Sequence, residues 1–324
     1  MTTRAAAIAN DPIADEAAQD FLASGGSAVG AVLTGFFAAG GAFAGVLLGP
    51  VSILVGGVGV GARAFDGRLR QPGLGTKRPR GFKEGEEVPD SARVAIPTGV
   101  AAALVAHAYD GSQRLGTILK PGISRAQRSG ADARAGLLKR IRSAGAGALT
   151  EAAFVRPVLR IAGPSQGGLV TPSDFGSVPD IDQDADERKL GAGSLVEPPW
   201  AEEGKGVVED AEALGIGCAV CAIDVRGVFA ALCYRRVSDG LPIDDLDLEA
   251  PLAAVPVQRG VTRVAPGARI PAPAPIAIRR DKSGTSLAVI AGPMLYRLDD
   301  PTQAKPLLVV KRDPRTQATE ASRS

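Results

Sequence analysis

Residues 215–227 read G-I-G-C-A-V-C-A-I-D-V-R-G and continue into the apolar run V-F-A-A-L-C-Y of residues 228–234. Small and apolar residues alternate on both sides of an Asp-x-x-Gly turn, which predicts a β-hairpin whose first strand opens on a Gly-Cys step. The chain's three cysteines, Cys218, Cys221 and Cys233, all lie in this hairpin. They form no even disulfide framework and point to a reducing compartment. Cys218 and Cys221 have the spacing of a metal or dithiol pair, but an extended strand turns residues three apart to opposite faces and no fourth ligand is at hand. No metal or cofactor is expected.

Beyond the hairpin, 324 residues can bury a substantial core as one large α/β domain or two small ones, and 45% hydrophobic residues exclude a disordered chain. Lys and Arg number 37 against 35 Asp and Glu, so the net charge of +2 argues for no nucleic-acid partner and against a membrane-surface one. Aromatics make up only 4% while glycine numbers 41, so elements must approach closely through small side chains. The opening residues lack the long apolar core of a secretory signal, which favours the cytoplasm.

Asp11-Pro12 followed by I-A-D-E-A-A-Q-D-F-L-A predicts an N-capped helix, and S-A-V-G-A-V-L-T-G-F-F-A-A a second helix with almost no polar face. The strand-like V-S-I-L-V-G-G-V-G-V-G-A-R-A-F follows at 51–65. Residues 21–62 carry no charge. A bilayer is crossed by roughly 20 apolar residues, so a membrane-inserted protein anchored through residues 21–62 is an alternative to a buried core helix. The many glycines and the β-branched second half weigh against it. His107, the only histidine, falls on an Ala-rich helix beside Asp110 and reads as a packing residue. Amphipathic helices are expected at 131–141 and 148–161, the second interrupted at Pro157. The acidic stretch 180–189 lacks the glycine and terminal glutamate of a calcium loop, and with 193–206 it reads as linker.

Several of these segments, in order, resemble the γ-glutamyltranspeptidases, members of the N-terminal-nucleophile hydrolases. D-P-I-A-D-E-A-A-Q-D-F-L-A-S-G-G-S-A-V-G-A-V is similar to the family's opening, D-P-x-A-x-E-A-G-x-x-I-L-x-x-G-G-N-A-V-D-A-A-V. V-A-I-P-T-G-V-A-A-A-L-V-A-H looks like V-x-V-P-G-x-V-x-G-L-x-x-A-H, and G-G-L-V-T-P-S-D-F at 167–175 like G-G-x-[IL]-T-x-x-D-[FL]. The hairpin itself resembles T-T-H-x-S-V-V-D-x-x-G-N-A-V. Without a gap, that match sets Gly217 where the family has its nucleophilic threonine and Cys218 one place later.

For Cys218 to serve as nucleophile after cleavage at Gly217, the strand must slip by one residue, which turns its side chains to the other face unless a bulge absorbs the shift. The resemblance further implies that Arg68, in D-G-R, holds a substrate α-carboxylate and that Asp245, in L-P-I-D-D-L, holds its α-amino group. The family's second threonine and its asparagine fall at Arg235 and Val237, its serine pair at Ala272 and Pro273, and its oxyanion glycines at Met294 and Leu295. Losing one oxyanion donor typically lowers a rate by about a hundredfold or more.

The expected fold is α/β, a four-layer αββα sandwich of the N-terminal-nucleophile hydrolase type. Residues 1–176 form a large-subunit-like half, 177–210 an acidic linker, 211–310 a small-subunit-like half and 311–324 a disordered tail. The function implied is that of a catalytically impaired γ-glutamyltranspeptidase-like protein, a binding remnant for a small γ-glutamyl or amino-acid ligand or a partner subunit in an oligomer with itself or a paralogue. The alternative is a self-processing cysteine amidohydrolase or γ-glutamyl hydrolase or transferase.

Overall fold

The computed structural model describes residues 4–57, 60–77, 80–176, 178, 180–205, 216–280, 287–291, 308–313 and 315–323. The predicted hairpin is present, with β7 (Ile216–Ile223) and β8 (Val228–Arg236) at the centre of a six-stranded antiparallel sheet. β1 (Ala6–Ala9) flanks β7, and β2 (Val51–Gly57), β3 (Val60–Gly67) and β4 (Asp182–Asp184) follow beyond β8. Both presumed halves of the chain therefore build this one sheet. The Asp-x-x-Gly turn closes as its sequence demands. Asp224 Oδ1 accepts from the amides of Arg226 at 2.9 Å and Val228 at 3.1 Å, and Gly227 takes a left-handed φ of 84°.

Period-two alternation sets the two faces of β7 and β8. Cys218, Val220, Ala222, Leu232 and Tyr234 belong to a core shared with the helices, and Ala219, Cys221, Ile223, Phe229 and Cys233 to a core between two sheets. The second sheet runs β14 (Thr319–Arg323), β13 (Leu308–Arg312), β12 (Leu287–Ala291), β11 (Ile276–Arg280), β6 (Gly193–Glu197) and β5 (Asp186–Leu190). It packs on the first through Ile278, Leu308 and Val310.

Helices cover the other face of the first sheet. α1 (Pro12–Ala23) is capped by Asp11, whose carboxylate accepts from Ile13 N at 2.9 Å and Ala14 N at 3.0 Å. α2 (Ala28–Ala42), capped by Ser27, lies on β7 and β8 and is buried along its length except at Ala42. α3 (Gly99–Asp110) packs on β2 and β3, α4 (Leu115–Arg128) on α2, and α5 (Asp132–Ala144) on α4, while α6 (Ala152–Ala162) continues through Pro157. The mixed α/β class with paired antiparallel sheets is as expected. Among the described residues, no long helix packs on the outer face of the second sheet.

The buried-helix reading of the charge-free stretch holds, and two expectations are corrected. The charge-free stretch 21–62 is α2 followed by two strands of the central sheet, and no helix among the described residues is long and apolar enough to cross a membrane. Its lack of charge reflects the burial of nearly all of α2 and of β2. The supposed linker at 177–210 contains β4, β5, β6 and the five-residue helix α7 (Ala201–Lys205), its acids paired with Arg63 and Arg280 on neighbouring strands. The supposed disordered tail holds β14, which pairs with β13 from Thr319↔Arg312 to Arg323↔Leu308. Gly215, residues 206–210 of the linker, and Met294 and Leu295 lie outside the described residues.

Candidate functional site

The candidate nucleophile sits at the start of β7 in an unbroken ladder. Ile216 through Ile223 pair one for one with Arg236 through Phe229, which sets Gly217 opposite Arg235 and Cys218 opposite Tyr234. The bulge that would let Cys218 replace the residue before it is therefore absent, and Cys218 faces the helices, opposite to the face of Gly217. Asn10 holds the strand here. Its side-chain amide donates to Gly217 O at 3.0 Å, and its Oδ1 accepts from Ala219 N at 2.7 Å.

Cys218 is 6% exposed and lies across the ladder from Tyr234, whose buried hydroxyl has no hydrogen-bond partner among the described residues. Burial, with the charge of Asp11 adding to it, pushes the thiol up to about 11 against the opposing pull of Tyr234, Arg236 and Arg235. Cys221 and Cys233, buried between the sheets, are pushed up by the same cause, Cys233 to about 12. A thiol held this far above neutrality is a poor nucleophile, because the thiolate is the reactive form.

Arg68 lies elsewhere, just past the end of β3. Its guanidinium is buried: Nη2 donates to Asp66 Oδ2 at 2.9 Å, Nε to Asp66 Oδ1 at 3.1 Å, and Nη1 to Glu203 of α7. It stands 5.3 Å from the ring of Trp200, whose indole donates to Ser52 Oγ at 2.9 Å. Arg269 shares the same acid, its Nε 3.3 Å from Asp66 Oδ2, and donates to Thr98 Oγ1 at 3.0 Å. Burial opposes the charge on Arg68, yet Asp66 and Glu203 outweigh it and hold its pKa above the ordinary value. Neighbouring Arg70 is lowered by burial and by Arg269, and its buried Nε has no hydrogen-bond partner.

Asp245 occupies a single 3-10 turn at Asp244–Leu246, exposed to solvent and ion-paired with Arg160 of α6. No hydrogen bond or ion pair among the described residues joins Cys218, Arg68 and Asp245. His107 is half-buried in the last turn of α3, with Nε2 2.8 Å from Gln113 O. The most complete motif, at 167–175, is architectural. Thr171 and Asp174 form a capping box, and Asp174, 1% exposed, also accepts from Gly73 N at 3.0 Å and Leu74 N at 2.9 Å.

Sequence reasoning missed Asp66, Trp200, Glu203 and Arg269. Asp66 stood in the quoted D-G-R, and the other three lay in stretches whose prolines and glycines suggested irregular chain. Among the described residues no group of three or more His, Cys, Asp or Glu side chains is placed to hold a metal ion.

No family model and no curated protein matches this sequence. Solved structures do match in shape. A variant of LmbA2991 superposes with a TM-score of 0.75 at 12% identity, over 99% of this chain and 96% of that one. Cephalosporin acylase from Bacillus halodurans gives 0.71 at 11% identity, over 100% of this chain and 94% of that one. A γ-glutamyltranspeptidase from Pseudomonas nitroreducens, complexed with L-DON, aligns with 63% of this chain and 75% of its own at a TM-score of 0.48 and 18% identity. The fold is that of the N-terminal-nucleophile hydrolases. Identities this low speak for fold alone, since function resides in sites.

Proposed function

We propose that this chain is a γ-glutamyltranspeptidase-like protein whose acyl-transfer chemistry is impaired, acting in the cytoplasm as a binding remnant for a small amino-acid or γ-glutamyl ligand or as a partner subunit. The observation that carries the reading is the unbroken register from Ile216 to Ile223, which turns Cys218 to the helix-facing side of β7. Chemistry of the family's kind needs a Thr, Ser or Cys whose own freed α-amino group acts as base, so the bond before the nucleophile must first break. Here the position matched to the nucleophile is Gly217, which has no side chain. The neighbouring thiol is buried and raised to about 11. Such a shift from the ordinary 9.0 lowers the thiolate fraction at neutral pH by about a hundredfold. Three buried, unbridged cysteines support a reducing compartment.

The test is the denatured intact mass of freshly purified protein beside a Cys218→Ala variant after equal incubation. A single full-length mass in both is expected. Two fragments meeting between Gly217 and Cys218, absent in the variant, would overturn impairment and favour a self-processing cysteine amidohydrolase or γ-glutamyl hydrolase or transferase.

A further inference from the structure

A net charge of +2 hides an uneven distribution. Residues 111–150 contain eight Lys and Arg against a single acid, Asp132, so this stretch alone is +7 and the rest of the chain is −5. Most of it folds as α4 and α5. Arg125 donates to Glu16 of α1 at 2.7 Å, and Arg134 is buried, with Asp247 and Glu249 offsetting its charge. Arg140 is half-buried. The other five, Arg114, Lys120, Arg128, Lys139 and Arg142, are exposed, and none of them forms an ion pair among the described residues. Asp132 does not neutralise them, because it sits in the first turn of α5, where the helix N-terminus takes up its charge.

These five cations lie along one helical hairpin. Residues 129–131 join the two helices, and the contacts between them run in opposite directions. A Cβ on Gly116 would stand 3.5 Å from Cδ of Arg142, and one on Gly122 3.5 Å from Cδ1 of Leu138. Arg142 therefore comes beside Arg114 at one end, Lys120 stands level with Lys139 in the middle, and Arg128 lies at the turn. At 1.5 Å per residue the 14 residues of α4 extend this row over about 20 Å. Like charges gathered without a counterion repel one another, and an anion from outside relieves that repulsion.

The chemistry of the face narrows the kind of anion. The apolar side of each helix is spent on the core, through Ile118, Leu119 and Ile123 of α4 and Leu137, Leu138 and Ile141 of α5. None of the large hydrophobic side chains exposed among the described residues lies on either helix. The face thus has no apolar wedge for a bilayer, no aromatic platform for unpaired bases and no apolar anchor for the centre of a protein interface. It offers guanidinium and ammonium groups in a row, which suits phosphates.

We infer that the outer face of α4 and α5 binds the phosphate backbone of double-stranded nucleic acid without reading its sequence. A duplex carries one charge per about 1.7 Å of axis, so a row of about 20 Å meets enough phosphates to engage all five cations. This binding is separate from the reading of Gly217 and Cys218 and stands or falls without it.

The experiment is fluorescence anisotropy of a labelled duplex of about 20 base pairs and arbitrary sequence, titrated with the full chain over a series of salt concentrations. Five phosphate contacts give a salt slope of about −4.5, so affinity should fall by about 10²–10³-fold between about 50 and 200 mM salt. Lys120→Glu/Lys139→Glu should weaken binding at least about tenfold at the lower salt and flatten the slope by about 2. Lys189→Glu/Lys311→Glu, at exposed positions on the second sheet, changes the net charge equally and should weaken binding by less than about threefold, since distant charges are screened. Melting temperatures check that each variant folds. Should the charge reversal unfold, Lys120→Gln/Lys139→Gln replaces it, with the same flattening of the slope expected. No binding at the lower salt would overturn the inference, and so would equal weakening by the two pairs, which would make net charge rather than this face responsible. Capture on phosphatidylserine vesicles without binding to the duplex would overturn it in favour of a membrane surface.

Discussion

Cys218 and Tyr234 face each other across β7 and β8, side by side in the core beneath the helices. Burial keeps the thiol neutral, and Tyr234 is held well above its ordinary value by burial and by Cys218. Cys233 is likewise raised to about 12 and Cys221 further, both by burial.

These shifts fix the sign of an alkaline effect. The folded state keeps protons that the unfolded chain, with thiols near 9.0, gives up first. The stability they contribute is complete below about pH 9 and is lost as pH rises through the folded values of about 11 and 12. Urea unfolding between pH 8 and pH 10.5 should show a midpoint that falls with pH, and a Cys218→Ala/Cys221→Ala/Cys233→Ala variant should show a shallower fall. Identical slopes would mean the thiols do not govern the effect.

Asp224 joins the hairpin to the helix layer. Besides the turn amides, its carboxylate accepts from Arg226 Nη2 at 2.9 Å and from Ala28 N, in the first turn of α2, at 3.3 Å. Asp224→Ala leaves several buried donors unpaired, for a loss of about 2–4 kcal/mol by denaturant unfolding. Asp224→Asn should recover some of it. A change below 1 kcal/mol, roughly the worth of one ordinary hydrogen bond, would show the turn to be self-sufficient.

Glycines in the helices divide by what surrounds them. A Cβ on Gly41 of α2 would stand 2.6 Å from the carbonyl carbon of Gly122 in α4, backbone against backbone, whereas one on Gly136 of α5 would meet only the tip of Arg140 at 3.8 Å. Alanine gains up to about 1 kcal/mol over glycine in a helix interior, so Gly136→Ala should stabilise by roughly that amount. Gly41→Ala must push the packed helices α2 and α4 apart and should destabilise by about 2 kcal/mol or more. Equal signs for the two variants in urea unfolding would refute the close approach of α2 and α4.

The readable stretches of the sequence were those where local rules and tertiary environment agree. Alternation gave β7 and β8 their faces, the Asp224 turn gave their register, and Asp11-Pro12 marked the start of α1. α4 escaped notice because Gly116, Pro121 and Gly122 are helix breakers locally, yet Gly122 is what lets α4 touch the backbone of α2. β4 and β5 looked like solvated linker because edge strands can carry acids whose partners, Arg63 and Arg280, lie over a hundred or about ninety residues away. Of the candidate site, residue types were legible and their surroundings were not. Nothing near Arg68 in sequence announces that Glu203 will meet it.

The order in which the sheet is joined has a consequence for how the protein is made. Val51 of β2 pairs with Tyr234 of β8, and Ile8 of β1 with Cys221 of β7, so the surface that α2 covers does not exist until the hairpin has been synthesised. At translation rates of about 5–20 residues per second the interval is on the order of ten seconds or more, during which a wholly apolar helix has no native surface to bury against. The long sequence separation of these pairs also slows the search for them. The helix buried most completely in the finished molecule is thus the segment that most needs chaperone cover on the ribosome.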